Sequence, residues 1–164
     1  MRKLLETLYR QHRQGLYTLA LSITRRAPAA EDAVQEAFTR LCRRTVPPEG
    51  DAVAYVFAAV RNAALDQVRR GPREQSAEES IFDTLAAAAG GSPDEAAMAA
   101  ERDRVLRRAI DGLPEEQREV VVMRLFGALT FEQVAQVFGE PLSTVASRYR
   151  RALEQLRKEV ESKV

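Results

Sequence analysis

Residues 130–151, TFEQVAQVFGEPLSTVASRYRR, constrain the possible folds of this chain more than any other stretch. Thr130 and Gln133 have the spacing of a capping box, in which each side chain bonds the backbone N–H of the other at the start of a helix. Gly139 predicts the end of that helix, because glycine adopts the left-handed conformation without a steric penalty. Pro141 suits the first turn of a second helix, where its missing N–H costs nothing. The stretch therefore predicts two short helices joined by a tight turn.

The second of these helices is predicted to be apolar on one side and basic on the other. Residues at helical spacing form the apolar side: Val145, Tyr149, Ala152, Leu153 and Leu156. The opposite side carries Ser147, Arg150 and Arg151, and Arg148 lies at the boundary. This is the helix-turn-helix pattern, which places its second helix in the DNA major groove. Taken alone, the arginines fit a solvated helix surface equally well.

The rest of the chain also has helical periodicity, and no window shows the alternation of a half-buried strand. Asp51 is placed to cap a long helix that ends near Arg70, before Gly71 and Pro72. The predicted core positions include Leu4, Leu5, Leu8, Leu16, Leu19, Ile23, Val34, Ala37, Leu41, Val56, Phe57, Val60 and Val68 in the N-terminal part. Those in the C-terminal part include Leu106, Ile110, Leu113, Val120, Val121, Met123 and Leu125. The pattern predicts an all-α fold.

Charge and composition divide the chain into three parts. Residues 1–70 hold 12 basic and 7 acidic side chains, whereas residues 71–100 hold 1 and 6. The acidic part is rich in alanine, glycine and serine, and it has too little apolar surface to offset the entropy of ordering the chain. The predicted organisation is a helical domain at residues 1–71, a flexible acidic linker at 72–93 and a second helical domain at 94–164.

The chain lacks the residue sets that enzymes and metal sites require. Cys42 is the only cysteine and His12 the only histidine, so one chain cannot form a disulfide or a Cys/His zinc site. No phosphate-binding loop, nucleophile elbow or metalloprotease motif occurs. We therefore expect no catalytic residue, no metal and no cofactor. The lack of a cysteine pair is compatible with a reducing compartment, so we expect a cytoplasmic protein. No apolar window is long enough to span a bilayer and no signal peptide is evident, so we expect no membrane insertion.

Two longer stretches carry a resemblance to a known family. The first comprises AEDAVQEAFTRL and AYVFAAVRNAALDQVRR, the latter similar to the pattern W-x-x-x-x-x-R-N-x-x-x-D-x-x-R. The second is LPEEQREVVVMRLFGALTFEQVAQVFGEPLSTVASRYRRALEQLR. In this order and across a linker, they resemble the extracytoplasmic-function (ECF) group of sigma-70-type sigma factors. The resemblance covers nearly the whole chain, and two matched regions are far more specific than a helix-turn-helix alone.

The resemblance implies two helical domains, called sigma-2 (a helical bundle) and sigma-4 (the helix-turn-helix), that bind core RNA polymerase and promoter DNA. Sigma-4 would read the −35 element in the major groove and contact the flap region of the polymerase. Sigma-2 would bind the clamp helices of the largest polymerase subunit and open the −10 element. Relatives are commonly held inactive by an anti-sigma factor, which is the further partner that the resemblance suggests.

For the −35 element, the matching positions lie on the second helix of the helix-turn-helix. They are Thr144, Ser147, Arg148, Arg150 and Arg151. Arginine binds guanine O6 and N7 in a bidentate way, or a phosphate with no sequence information. Arg148 occupies the family's S-R position, where a structural role is the alternative to a phosphate contact. Ala146 stands where many relatives have a basic residue, and its methyl suits only apolar groups such as that of thymine, so we expect a different −35 preference.

For the −10 element, the resemblance points to the loop TVPPEGD and the helix that follows it. A base extruded from the duplex needs a pocket or a stacking surface to recover its unstacking energy. The matching helix residues are Tyr55, Asn62, Arg69 and Arg70. Tyr55 stands where the family commonly has tryptophan, and stacking on a base or packing in the core are its two alternatives. Asp66 is acidic, so we expect it to orient Asn62 or an arginine.

The polar side of the second predicted helix is the expected polymerase surface. It comprises Asp32, Gln35, Glu36 and Arg40. Without the resemblance, a solvated surface would be the simpler interpretation. The acidic linker is either a plain tether or a mimic of nucleic acid that is anchored in the polymerase by Ile81, Phe82 and Leu85.

The alternative function is a helix-turn-helix transcriptional regulator that acts without the polymerase core. Such a regulator predicts stable duplex binding by the protein alone. A sigma factor predicts weak binding by the free chain and promoter recognition only together with core enzyme.

Overall fold

The computed structural model describes residues 1–71 and 93–163 and confirms an all-α fold. The helices of these ranges are α1 (Arg2–Thr24), α2 (Ala27–Cys42), α3 (Ala52–Arg70), α4 (Pro93–Asp111), α5 (Glu115–Leu125), α6 (Phe131–Phe138) and α7 (Leu142–Ser162). The described ranges contain no strand, and no helix in them is long and apolar enough to cross a membrane. Residues 72–92, which hold most of the predicted linker and its patch of Ile81, Phe82 and Leu85, lie outside the described residues.

Helices α1, α2 and α3 pack pairwise around one core and form the first module. Fully buried side chains at its centre are Leu16, Leu19, Phe57 and Val60. Helix α3 begins where the sequence predicts, because the Asp51 carboxylate accepts a hydrogen bond from the Ala54 N–H at 3.0 Å. The predicted −10 loop therefore ends at a capped helix start.

Helices α4 to α7 form the second module, and α5 is its central helix. Val120, Val121, Val122 and Met123 follow one another in α5, and all four side chains are fully buried. A helical turn that is apolar on all sides needs neighbours on all sides. Helix α5 has them, since it packs against α6 and α7 of its own module and against α1 of the first.

The helix-turn-helix has the predicted capping. The Thr130 hydroxyl accepts a hydrogen bond from the Gln133 N–H at 3.1 Å, and the Gln133 side-chain oxygen accepts one from the Thr130 N–H at 2.9 Å. Gly139 ends α6 with a φ of 65°, in the left-handed region. Pro141 is the N-cap residue of α7. The predicted capping box and glycine stop are confirmed.

The two modules pack against each other through α5 on α1 and α6 on α3, and we call this contact the seam. Its closest approach joins Gly15 of α1 to Gly127, just after α5. A Cβ on Gly15 would lie 2.8 Å from the Gly127 Cα atom and 3.1 Å from the Phe126 carbonyl oxygen. Only residues without a side chain allow the two backbones to come this close.

Five positions that were predicted to face the core are wrong. Leu4, Val68, Leu106, Leu125 and Leu153 are 42%, 54%, 38%, 53% and 41% exposed, respectively. Each lies at a helical spacing from truly buried residues. Periodicity indicates which residues share a side of a helix. How much of that side is buried depends on how far the neighbouring helices extend over it.

Candidate DNA and polymerase interfaces

The outer surface of α7 carries the residues predicted to reach the −35 element. Arg150 and Arg151 are exposed, and Thr144, Ala146 and Ser147 are partly exposed. None of the ion pairs within the described ranges involves Arg150 or Arg151. Their guanidinium groups are therefore available to an anion such as a DNA phosphate.

Arg148 is held differently from the other arginines of this helix surface. Its side chain is only 18% exposed, and its Nη2 atom lies 2.7 Å from a Glu140 carboxylate oxygen and 3.0 Å from one of Glu116. The guanidinium also lies 5.5 Å from the centroid of the Phe138 ring. These contacts join α7 to α5 and to the turn before α7. Arg148 would have to leave two carboxylates to bind a phosphate, so its geometry favours the structural alternative.

Arg124 supports α7 from the inner side, and the sequence reasoning missed it. Its guanidinium lies 4.4 Å from the Phe131 ring centroid and 5.7 Å from that of Tyr149. The two rings meet nearly edge to face, with centroids 5.3 Å apart. Arg124 also donates a hydrogen bond to the Leu129 carbonyl oxygen at 2.6 Å. This cluster fixes the angle at which α7 leaves the turn.

Tyr55 lies one turn into α3, next to the predicted −10 loop. Its side chain is partly buried and lines a small apolar cavity beneath that loop. The Arg44 guanidinium lies 5.4 Å from the Tyr55 ring centroid, within the range of a cation–π contact. A base that stacks on the side covered by Arg44 has to displace that guanidinium.

The other residues predicted to contact the −10 element lie along the solvent side of α3. Asn62, Arg69 and Arg70 are exposed. The two arginines occupy the last turn of α3, where the helix dipole favours positive charge. Asp66 lies 3.8 Å from the Arg40 guanidinium of α2, so this carboxylate has an arginine as its neighbour.

The predicted polymerase surface lies on the polar side of α2. Asp32, Gln35 and Arg40 are exposed, and Glu36 is partly exposed. Glu36 and Arg40 form an ion pair one helical turn apart. Through Arg40 and Asp66 of α3, the predicted polymerase surface lies beside the predicted −10 surface.

Next to this surface is a groove between α1 and α2, which the sequence reasoning missed. It holds about 470 Å³ and has Gln35 in its wall. Tyr9 of α1 and Phe38 of α2 also line it, and their rings meet edge to face with centroids 5.1 Å apart. The available signal was Tyr9, an aromatic residue of α1 at helical spacing from Leu5.

Charged side chains cross the seam and are largely removed from water. Arg61 donates a hydrogen bond from Nε to a Glu119 carboxylate oxygen at 3.0 Å, and their side chains are 20% and 5% exposed. Burial raises the pKa of Glu119, and the charge of Arg61 opposes that rise. Neither residue was singled out from the sequence, although a glutamate directly before the apolar run VVVM is a signal for a buried ion pair.

A second polar contact joins the two capped helix starts. The Gln133 side-chain N–H donates to the free Asp51 oxygen at 3.1 Å. The hydrogen bond from the Ala54 N–H is the main cause that lowers the pKa of Asp51, and the Gln133 bond adds to it. The start of α3, beside the predicted −10 loop, is thus bonded to the start of the helix-turn-helix.

Comparison with known families gives two matches. The model of Sigma-70 region 2 matches residues 8–74, and that of Sigma-70, region 4 matches residues 109–158. The first match spans α1 to α3, and the second extends from the end of α4 into α7. Their order is the one that the sequence resemblance implied.

Three curated relatives extend the similarity across the chain. The ECF RNA polymerase sigma factor SigE of Mycolicibacterium smegmatis is 31% identical, covering 93% of this chain and 60% of that protein. The RNA polymerase sigma factor SigV of Bacillus subtilis is 27% identical, covering 94% and 89%, respectively. The ECF RNA polymerase sigma-E factor of Escherichia coli is 28% identical, covering 88% and 82%. The chain thus spans less than two thirds of SigE but most of the other two.

A solved structure shares the fold. The sigma factor RpoE from Bartonella quintana, crystallised in complex with the anti-sigma factor NepR, superimposes with a TM-score of 0.69 at 21% sequence identity. The match covers 98% of this chain and 96% of that one. With both sigma-70 regions matched in order and ECF relatives along nearly its whole length, the chain belongs to the ECF group of the sigma-70 family of RNA polymerase sigma factors, which direct promoter-specific transcription.

Proposed function

We propose that this chain binds core RNA polymerase in the cytoplasm and directs it to promoters through a −35 contact by the second module and a −10 contact by the first. The observation that carries the proposal is the pair of exposed arginine surfaces, one on each module. The first lies on α7 and the second on the last turn of α3. Two separate DNA-binding surfaces fit a protein that reads two promoter elements.

At the −35 element, α7 lies in the major groove. Arg150 and Arg151 contact guanine edges or phosphates, and Thr144 and Ser147 supply shorter hydrogen bonds. Arg148 holds α7 at its angle through Glu140 and Glu116. The partly exposed methyl group of Ala146 lies in the same part of the helix and favours contact with a thymine methyl.

At the −10 element, the loop before α3 and the exposed side of α3 receive the opened strand. Arg69 and Arg70 bind the phosphate backbone, because they are exposed and lie at the end of the helix. Asn62, on the same exposed side, contacts a base edge. Tyr55 packs beneath the loop and presents its edge to the captured base. The domain boundaries that we propose are residues 1–71 and 94–164.

The polymerase clamp helices bind the polar side of α2 and extend over the groove at Tyr9 and Phe38. Gln35 belongs to both surfaces and is the central residue of this contact. The second module contacts the flap region. An anti-sigma factor is a further partner, by analogy with the relative that was solved together with one.

Reconstituted transcription tests the proposal. Core polymerase, the full chain and a library of random upstream sequences are expected to give transcripts whose templates share two elements at fixed spacing. Arg150→Ala should then weaken selection of the −35 element. Arg157→Ala is the matched control, because Arg157 is an exposed arginine on the far part of the same helix, paired with Glu161. Gln35→Ala should instead weaken the affinity for core enzyme, with Glu154→Ala as its control.

The alternative, a regulator that works without polymerase, predicts the opposite DNA-binding behaviour. The free chain would bind a duplex stably and select a single element, and core enzyme would add nothing. That result would overturn the proposed sigma function. An unchanged affinity of Gln35→Ala and Glu36→Ala for core enzyme would overturn the proposed polymerase surface.

A further inference from the structure

Arg44 lies directly before the loop TVPPEGD, between the end of α2 and the start of α3. Its guanidinium lies over the Tyr55 ring, 5.4 Å from the ring centroid. The Arg44 side chain is exposed, and none of the ion pairs within residues 1–71 and 93–163 involves it. A cation–π contact at an exposed site is weak, so this guanidinium can readily change partners.

The Tyr55 ring offers little surface to a second partner. The side chain is partly buried, and it lines the apolar cavity beneath the loop together with Leu5 of α1 and Pro48 of the loop. Arg44 lines the same cavity. A base that contacts Tyr55 and the guanidinium of Arg44 therefore compete for the same exposed part of the ring.

Tyr55 also begins a row of side chains along one side of α3. Asn62 and Arg69 follow it at helical spacing, and at 1.5 Å per residue Tyr55 and Arg69 are about 21 Å apart along the helix axis. Arg69 and Arg70 supply positive charge at the far end of this row, and Arg44 supplies it at the near end. A strand that lies along α3 therefore meets an arginine at both ends of the row.

We propose that Arg44 is a further residue of the −10 contact, which covers the Tyr55 ring in the free chain and exchanges it for a phosphate of the opened strand. The inference rests on the proposed sigma function and adds a residue to it. Arginine suits both partners, because its planar guanidinium stacks on aromatic rings and also binds phosphate in a bidentate way. The phosphate is the stronger partner, since hydrogen bonds between two charged groups exceed an exposed cation–π contact. The part of the ring that Arg44 leaves is then open to a base of the same strand.

The salt dependence of promoter binding tests the phosphate contact. The probe is a promoter that the wild-type holoenzyme selects from random sequences, with mismatches that open its −10 element. Arg44→Ala should reduce the slope of log affinity against log salt by about 0.7, the value for one phosphate contact on a single strand. Over a tenfold range of salt, this slope corresponds to a loss of about fivefold in affinity. Arg44→Lys should keep the wild-type slope, because an ammonium group also binds phosphate.

Arg43→Ala is the matched control. Arg43 is exposed and adjacent in sequence, but its guanidinium contacts no aromatic ring of the described residues. This variant should keep the wild-type slope. An unchanged slope in Arg44→Ala, or an equal reduction in Arg43→Ala, would overturn the assignment of the phosphate contact to Arg44.

Fluorescence of the free chain tests the ring contact separately. The chain has no tryptophan, so Tyr55→Trp introduces a single indole at the ring position. In this background, Arg44→Ala should shift the indole emission to longer wavelength, because the ring loses its cover and contacts water, whereas Arg43→Ala should not. Equal emission with and without Arg44 would overturn the ring contact. If the wild-type chain and core enzyme select no promoter at all, the sigma function fails and the exchange fails with it, but the emission shift is still expected, so the two failures are distinguishable.

Discussion

Replacing Arg148 and Arg150 separately by alanine distinguishes an arginine that supports α7 from one that reads DNA. The two residues lie two positions apart on one helix and would be grouped together by charge alone. The structure separates them, since Arg148 is 18% exposed and contacts Glu140 and Glu116, whereas Arg150 is exposed. We expect Arg148→Ala to lower stability and Arg150→Ala to lower DNA binding.

The contacts of Arg148 set the expected loss of stability. Glu140 is 32% exposed and has a carboxylate oxygen 2.7 Å from the Arg148 Nη2 atom, and this close charged contact contributes about 1.5 kcal/mol. Glu116 is 60% exposed, so its pair contributes at most a few tenths of a kcal/mol. The lost contact with the Phe138 ring adds about 0.5 kcal/mol. Together, Arg148→Ala should reduce the free energy of unfolding by about 2 kcal/mol, against less than about 0.5 kcal/mol for Arg150→Ala.

Two measurements separate these effects. Urea unfolding of the free chain gives the stability of each variant. The affinity of the reconstituted holoenzyme for promoter DNA at increasing salt reports on the number of phosphate contacts. Loss of one such contact reduces the slope of log affinity against log salt by about 0.9. If Arg150 instead contacts a base, its loss should cost about 1 to 3 kcal/mol at one promoter position and leave the salt dependence nearly unchanged.

The reverse pattern would refute the reasoning. If Arg148→Ala unfolds at the wild-type urea concentration and reduces the salt slope, then Arg148 leaves its carboxylates and binds phosphate. Glu140→Gln offers an internal check. This variant should reproduce part of the stability loss of Arg148→Ala, because Glu140 forms an ion pair with Arg148. It should leave the salt dependence of DNA binding unchanged, because a carboxylate does not bind phosphate.

Three further predictions concern the end of α6, the start of α3 and the seam. Gly139→Ala should lower the free energy of unfolding, measured in urea, by about 1 kcal/mol, because the residue has a φ of 65°. A methyl group there touches nothing, so the loss would come from the backbone conformation alone. An unchanged stability would contradict this argument. Asp51→Ala should lower the free energy of unfolding by about 1 kcal/mol at neutral pH. Because folding lowers the pKa of Asp51, its contribution to stability should be lost as the pH falls through the folded-state pKa. The stabilities of wild type and variant should therefore become equal in acid. Burial raises the pKa of Glu119 above its ordinary 4.5, so stability falls as the pH rises through the range between the two values. Arg61→Ala should steepen that fall, and thermal melting that shows parallel pH dependence for wild type and variant would contradict it.

The helices and the helix-turn-helix could be derived from local chemistry. The capping box at Thr130, the cap at Asp51 and the glycine stop at Gly139 are each completed by atoms within a few residues of one another. Such features depend little on distant parts of the chain, so sequence alone predicts them. The resemblance to the ECF group likewise rests on residues quoted directly from the chain, and the sigma-70 family matches together with the ECF relatives confirm it.

What only the tertiary structure decided is where these elements meet. The exposure of Leu125 and Leu153, the carboxylate partners of Arg148 and the groove at Tyr9 and Phe38 all depend on neighbours distant in sequence. The seam is the clearest case. Gly15 carries no periodic or charge signal, and its role emerges only when a second backbone lies where its side chain would be. Local sequence patterns indicate the conformation that a segment prefers. Burial and ion pairing depend on two surfaces, and they can be assigned only when the positions of both surfaces are known.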